Sequence, residues 1–237
     1  MGKSVSKEEF AEICLRLENA GAENINLVTP SHHIPKLAQC IVEAKKRGLK
    51  LPVCWNSSGY DSVEMLEMLD GLVTIFLPDF KTLSSELSKK LCSAEDYPET
   101  AKKALLWMIE HNPLKFTSVE KNGVTKQKLL QGVIIRHLFL PGRFEETVDV
   151  LSWLKENADK KAIISLMNQY TPVPFAGSED ELKRRKNALS AIENRLVNTT
   201  EDQDLRDMIE AFDFDLLFYQ DLSTDTDWLP EFTKKQP

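Results

Sequence analysis

Short apolar runs alternate with amphipathic segments along most of this 237-residue chain, and this alternation strongly limits the folds open to it. Strands are predicted at 24–28, 51–55, 72–77, 132–140 and 162–167, with a weaker candidate at 215–219. A 3.6-residue apolar periodicity predicts helices between them, at 6–19, 34–47, 61–69, 98–111, 144–157, 179–196 and 201–212. Strands that alternate with helices are typical of an α/β fold with a mostly parallel sheet.

The first predicted element is a helix, which begins with a capping-box pattern at Ser6 and Glu9. A fold of repeated strand–helix units normally begins with a strand. We therefore expect the first strand to be missing, or that edge of the sheet to be supplied by another chain.

Two polar stretches interrupt the alternation. Residues 113–131 contain an Asn-Gly turn signal at 122–123, which predicts a surface excursion or a small hairpin. Residues 176–190 are highly charged and predict a solvated helix. The Lys-Arg-Arg-Lys run at 183–186 allows a basic patch as the alternative, although a solvated face is the more usual role for such a run.

Composition excludes several classes of protein. The net charge of −7 and pI near 5.3 disfavour a nucleic-acid-binding surface. No segment approaches the roughly 20 apolar residues of a membrane span, and the N-terminus lacks the apolar core of a secretory signal. Four widely spaced cysteines predict reduced thiols rather than disulfides. We expect a cytoplasmic protein without nucleic-acid or membrane partners.

Polar residues follow the predicted strands at their C-terminal ends. In α/β folds this is where ligands bind. Asp79 and Arg136 are especially informative because both are embedded in apolar strand sequence, where an unpaired charge is expensive. These charges predict a polar crevice shared by the strand ends, although a structural ion pair between Asp79 and Arg136 is the alternative. The adjacent His32 and His33 do not have metal-ligand spacing, and no residue is assigned as catalytic or metal-binding.

Four segments, in this order, resemble radical S-adenosylmethionine proteins of the pyruvate formate-lyase activating-enzyme-like group. They are GAENINLVTPSHHIPKL, LPVCWNSSGYDSVEMLEMLDGLVTIFLPDFK, GVIIRHLFLPG and SLMNQYTPV. The resemblance implies a partial (β/α)6 TIM-like barrel of mostly parallel strands with its first strand missing. It implies one domain over 1–237, with a core at 4–174 and a C-terminal helical extension at 175–237.

The resemblance also implies a set of residues that bind S-adenosylmethionine. Thr29 corresponds to the position that holds the amino group of the cofactor, and Arg136 to one that contacts its ribose or carboxylate. Asp79 and Lys81 match an Asp-Ile-Lys motif, in which the Asp serves a cation site and the Lys approaches the cofactor carboxylate. The remaining correspondences are Asn56 and Ser57 at the cation site, and Asn168 and Gln169 near the adenosine.

The family also binds a [4Fe–4S] cluster through a CxxxCxxC loop, and this sequence has no such motif. We therefore expect either a truncated enzyme, whose full-length form cleaves S-adenosylmethionine to a 5′-deoxyadenosyl radical, or a cluster-free barrel that binds a nucleotide-like ligand or a protein. By resemblance, a partner would be a glycyl-radical-type protein substrate. An exposed sheet edge also predicts self-association.

Overall fold

The computed structural model describes residues 4–121 and 123–222. Its seven-stranded sheet has the order β1-β2-β3-β5-β6-β7, and every neighbouring pair along this order is parallel, whereas β4 pairs with β5 antiparallel. The strands are β1 (Ile25–Val28), β2 (Val53–Ser57), β3 (Ile75–Pro78), β4 (Lys115–Lys121), β5 (Val124–Leu138), β6 (Ile163–Met167) and β7 (Leu217–Tyr219). This confirms the predicted α/β class, a partial TIM-like barrel.

Helices connect the strands. They are α1 (Lys7–Asn19), α2 (Ile34–Lys46), α3 (Val63–Leu66), α4 (Ser85–Cys92), α5 (Tyr97–His111), α6 (Phe144–Ala158), α7 (Glu179–Leu189) and α8 (Thr199–Phe212). The capping box at Ser6 and Glu9 forms as predicted at the start of α1. The sequence did not predict α4, and α7 ends at Leu189 rather than at position 196. No helix in the described ranges is both long and apolar enough to cross a membrane.

Side chains along β3 point alternately into the core and towards the site. Phe76 and Phe80 are fully buried, and their rings contact Trp107 of α5 and Trp153 of α6 at centroid distances of 6.3 Å and 5.0 Å. These contacts fix one face of the β3 segment against the helices. Because successive side chains of an extended strand point to opposite faces, Asp79 is directed to the other face.

The stretch at 113–131 forms part of a long antiparallel hairpin, as the Asn-Gly signal predicted, with β4 paired to the first half of β5. The second half of β5 then joins the parallel sheet between β3 and β6. Gly132 lies at this change of partner with a φ of +148°, and an added Cβ would lie 2.6 Å from Leu114 Cδ2. A glycine is therefore required where the hairpin meets the barrel.

Candidate functional site

Asp79 lies just beyond the end of β3 and binds two cations. One carboxylate oxygen lies 2.7 Å from Arg136 Nη2, and the other accepts a hydrogen bond from Lys81 Nζ at 2.8 Å. The Asp79 and Arg136 side chains are each 25% exposed. The structure therefore brings together the three charged residues that the sequence placed in one crevice. The cluster carries one positive charge in excess.

Arg136 joins groups from three neighbouring strands. Its Nη2 donates to Asn56 Oδ1 at 2.7 Å, and it also approaches the carbonyl of Leu77 at 3.5 Å. Its Nε is buried and has no hydrogen-bond partner among the described residues. A buried unpaired donor is costly. The guanidinium therefore has unused hydrogen-bonding capacity inside the site.

The loop after β2 packs directly against Asp79. The backbone N–H of Asp79 donates to the carbonyl of Ser57, and the Ser57 hydroxyl donates to the buried Asp61 carboxylate at 2.6 Å. Gly59 has a φ of +76°, and an added Cβ would lie 2.2 Å from the Asp79 carbonyl oxygen. No side chain can occupy this position unless Asp79 moves. The predicted proximity of Asp79 to Asn56 and Ser57 is therefore present.

Tyr97 holds the loops that follow β2 and β3, and sequence reasoning missed it. Its hydroxyl accepts the backbone N–H of Lys81 at 3.0 Å and lies within donating distance of the carbonyls of Ser58 and Asp79. Burial raises the pKa of this phenol, so it stays protonated and able to donate. In the sequence Tyr97 looks like an ordinary apolar residue at a helix start, which gave no signal of this role.

Glu146, in the first turn of α6, fixes the chain that leads from Lys81 into α4. Its carboxylate accepts the Thr82 hydroxyl and the backbone N–H groups of Leu83 and Ser84, the latter two at 2.7 and 3.2 Å. Next to it, the fully buried His137 bonds the Phe80 carbonyl through Nδ1, which must therefore carry the proton. Burial lowers the pKa of His137. It is a neutral structural residue.

A cavity of about 230 Å³ opens beside this charged cluster. The polar residues on its wall are Asp79, Lys81, Thr82 and Arg136. The opposite part of the wall is apolar and comes from α4, from the end of β5 and its loop, and from β6; it consists of Leu87, Leu91, Cys92, Leu138, Leu140 and Met167. The arrangement suits a small amphiphilic ligand with a charged end and an aliphatic body.

Five of the residues proposed from sequence do not line this cavity. Asn56 and Ser57 contact the charged cluster without lining the cavity, and the other three lie elsewhere. Thr29 is exposed after β1, and its φ of 54° lies in the left-handed region. Asn168 is buried and donates from its amide to Asp202 Oδ1 at 2.6 Å and to the Tyr219 hydroxyl at 3.0 Å. Gln169 is partly buried next to it. The structure thus places Asn168 in a polar network with α8 and β7.

The cysteines do not fit an iron–sulfur cluster. Cys14, Cys40 and Cys54 are buried, Cys92 is exposed, and all four are free thiols. Burial raises the pKa of Cys14 to about 11 and that of Cys54 to about 12, which opposes the thiolate form that iron requires. Within 4–121 and 123–222, no three His, Cys, Asp or Glu side chains are grouped so that they could hold a metal ion.

No family model matches the sequence. A relative, the uncharacterized protein MJ0674 of Methanocaldococcus jannaschii, is 27% identical over 181 residues, which are 75% of this chain and 46% of that protein. The chain thus spans about half the length of this relative.

Solved structures resemble the whole described architecture. Streptococcus suis SuiB bound to S-adenosylmethionine has a TM-score of 0.59 at 13% identity, over 94% of this chain and 44% of that one. A domain of pyruvate-formate lyase-activating enzyme from Bacteroides vulgatus has a TM-score of 0.55 at 11% identity, over 84% of this chain and all of that one. This chain shares its fold with these solved structures.

Proposed function

We propose that this chain is the S-adenosylmethionine-binding part of a radical S-adenosylmethionine protein of the pyruvate formate-lyase activating-enzyme-like group. In this proposal the cavity beside Asp79, Lys81 and Arg136 holds the amino-acid end of the cofactor. The observation that carries the proposal is the convergence of one carboxylate and two cations at the strand ends. A structural neighbour with this fold was solved bound to S-adenosylmethionine.

The charges of the cavity match an α-amino acid group. A ligand ammonium can bind Asp79, and a ligand carboxylate can bind Lys81 and Arg136, since all three residues line the cavity. Charge-assisted hydrogen bonds of this kind are the strongest available to such a ligand. The apolar wall, which includes Leu138 and Met167, then contacts the aliphatic part of the methionine chain.

Size restricts the part of the ligand that the cavity encloses. Pockets for drug-sized ligands usually measure about 300–1,000 Å³. The cavity of about 230 Å³ is smaller, so it encloses the amino-acid end and leaves the adenosine outside. Asn168 and Gln169 remain proposals for adenosine contacts, and Thr29 for a contact to the amino group, because none of them lines the cavity.

The cluster chemistry of this group does not fit the residues of this chain. A [4Fe–4S] cluster needs three thiolates close together, and the four cysteines of the chain are buried or far apart in sequence. Reductive cleavage of S-adenosylmethionine, and radical transfer to a glycyl-radical-type protein, are therefore proposed only for a longer, cytoplasmic enzyme that supplies those thiolates. The 237 residues by themselves are proposed to bind the cofactor without cleaving it.

A second function from another class is a binding module. The lack of a thiolate set favours it, because a barrel without the cluster can still present its polar cavity to a nucleotide-like ligand or to a protein. The two functions differ in whether S-adenosylmethionine binds through the charged cluster.

Calorimetric titration of S-adenosylmethionine into the wild type and into Lys81→Ala tests the proposal. One hydrogen bond to a charged group contributes about 1.5–3 kcal/mol, so removal of Lys81 should weaken binding by roughly 10- to 150-fold. Lys102→Ala is the matched control, because Lys102 of α5 pairs with Glu99 at 2.8 Å and does not line the cavity. It should bind like the wild type.

Two results would contradict this placement of the cofactor. If the Lys81 variant binds as tightly as the wild type, the ligand does not use the charged cluster. If the wild type does not bind at all while its circular dichroism shows a folded protein, the binding-module function replaces the first proposal.

A further inference from the structure

A second, larger concavity lies between α4 and α7, next to the cavity described above. We call it the α4–α7 groove. It measures about 820 Å³ and is lined by Glu86, Lys89, Lys90, Leu91, Ser93, Phe175, Glu181, Arg184, Arg185, Asn187 and Ala188. Leu91 lines both the groove and the cavity, so the two are adjacent across α4.

The charge of the groove is opposite to that of the molecule. Four of its lining residues are cations and two are carboxylates, which leaves a charge of +2 in a chain of net charge −7. Glu181 contributes little to the free surface because it is the capping-box acid of α7 and accepts from the N–H and hydroxyl of Ser178. Lys89 is already paired with Glu95 at 2.7 Å.

Two cations of the groove form no ion pair within the described residues. In the part of the chain that the structure describes, neither Lys90 nor Arg184 forms an ion pair, and Arg184 makes only a long bond to the Asp180 carbonyl at 3.4 Å. Arg185 is different, since it donates to the Val173 carbonyl and lies over the Phe175 ring at 4.6 Å. Lys90 and Arg184 are thus available to an outside anion.

α7 itself is packed too loosely for a helix with only a structural role. None of its residues is buried, although helices in compact domains normally bury one face. Phe175, which lines the groove, is 43% exposed, and Leu182 of α7 is 44% exposed. Phe175 and Leu182 can make apolar contacts with a partner, and the unpaired cations nearby select for negative charge.

We infer that the α4–α7 groove binds an acidic peptide segment of a partner protein. α7 has eleven residues and is about 16 Å long, so an extended peptide of about five residues runs its length. Acidic side chains of that peptide pair with Lys90 and Arg184, and an apolar side chain contacts Phe175. Nucleic acid is disfavoured because Phe175 is the one aromatic residue among the described residues that line the groove, whereas single-stranded nucleic acid is usually bound by several stacked aromatic side chains.

The probe is a fluorescein-labelled twelve-residue peptide with the repeat Glu-Glu-Leu, measured by anisotropy at low salt without S-adenosylmethionine. Because the cofactor is absent, failure here is distinct from failure of the proposed function. The wild type should bind the peptide, and Lys90→Glu/Arg184→Glu should bind it at least tenfold more weakly. The matched control is Lys36→Glu/Lys46→Glu, which makes the same charge change on exposed positions of α2 and should bind like the wild type.

Three outcomes would overturn the inference. The first is the lack of any binding that depends on Lys90 and Arg184: either the wild type does not bind the peptide, or both double variants lose affinity equally through net charge alone. The second is equal affinity for a Gln-Gln-Leu peptide, which would remove the need for acidic groups. The third is tighter binding of a twelve-nucleotide oligo-dT that also depends on Lys90 and Arg184. Circular dichroism of each variant confirms that it is folded.

Discussion

At the scale of single residues, the Tyr97 hydroxyl determines where Asp79 and Lys81 are held. It bonds the backbone after both β2 and β3. Tyr60 stacks beside it with ring centroids 5.9 Å apart, but its hydroxyl donates to Asp96 at the surface. The two tyrosines are therefore a natural pair for comparison.

Tyr97→Phe should destabilise the protein by about 1–3 kcal/mol, because it leaves the Lys81 N–H unpaired in a buried place. Tyr60→Phe should cost less than about 0.5 kcal/mol, as is usual for a surface position. Urea unfolding measures both. Equal midpoints for the two variants would show that the Tyr97 hydroxyl does not hold these loops.

Buried His137 should make stability depend on pH. The unfolded histidine takes up a proton near pH 6.5, whereas burial lowers the pKa in the folded state. The folded state therefore binds fewer protons, and stability should fall as the pH drops below about 6.5, by at most about 1.4 kcal/mol per pH unit from this residue. His137→Gln should lose that part of the slope in urea unfolding at pH 5–7. If the unfolding free energy of His137→Gln changes with pH as steeply as that of the wild type, His137 is not the cause of this pH dependence.

Site residues could be predicted from sequence where a charged residue stands within an apolar stretch. Asp79 and Arg136 are charges within apolar runs, and the structure shows them paired at 2.7 Å. Asn168 carried no such conflict, and its partner Asp202 is 34 residues away on a helix, beyond any local pattern. Tyr97 likewise acts through backbone groups far along the chain, which a side-chain pattern cannot show.

At the scale of elements, the β2 and β3 loops pack closely only because position 59 has no side chain. Gly71 also has a positive φ, +66°, but an added Cβ there would meet no atom within 4 Å. Gly71→Ala should therefore cost only the backbone strain of about 1–2 kcal/mol. Gly59→Ala should cost about 1–3 kcal/mol more, because Asp79 must move.

Thermal or urea unfolding of Gly59→Ala and Gly71→Ala distinguishes the cost of backbone strain from the cost of the contact with Asp79. If Gly59→Ala is no less stable than Gly71→Ala, the close approach to Asp79 is relieved without cost.

Element boundaries were predictable where side-chain signals are local. Ser6 with Glu9, and the Asn-Gly pair, marked a helix start and a hairpin correctly. α4 was not predicted because it is only eight residues long and its strongest signal, the Ser84 cap, is also common in loops. The end of α7 was predicted too late because the helical apolar spacing continues past Leu189, whereas the chain there no longer forms a helix.

At the scale of the whole molecule, β1 is an edge strand within the described sheet. The N–H groups of Ile25 and Thr29 bond to the β2 side, so alternation directs those of Asn26 and Val28 away from it. Val28 is 66% exposed. We propose that a second chain pairs with this edge.

Sedimentation across a concentration range should show association of the wild type that Val28→Lys abolishes, since a charged residue blocks edge pairing. Val124→Lys is the control, because Val124 is 54% exposed on the hairpin instead. A wild type that stays monomeric at high concentration would count against the pairing.

The alternation of strands and helices predicted the α/β class and its mostly parallel sheet. The Asn-Gly signal predicted the hairpin, but not that its second strand continues into the parallel sheet as the single strand β5. The apolar pattern specifies which faces are buried, whereas the partner of a strand depends on contacts between distant parts of the chain.

Arg136 bonds groups from β2 and β3 while it belongs to β5, so one side chain spans three neighbouring strands. These bonds lie across the direction in which adjacent strands would slide. In mechanical terms β2, β3 and β5 form one rigid unit, because sliding any of them past its neighbours would break several bonds of Arg136 together. A ligand that widens the cavity should therefore displace α4, which contributes Leu87, Leu91 and Cys92 to its wall, while the strand register stays fixed.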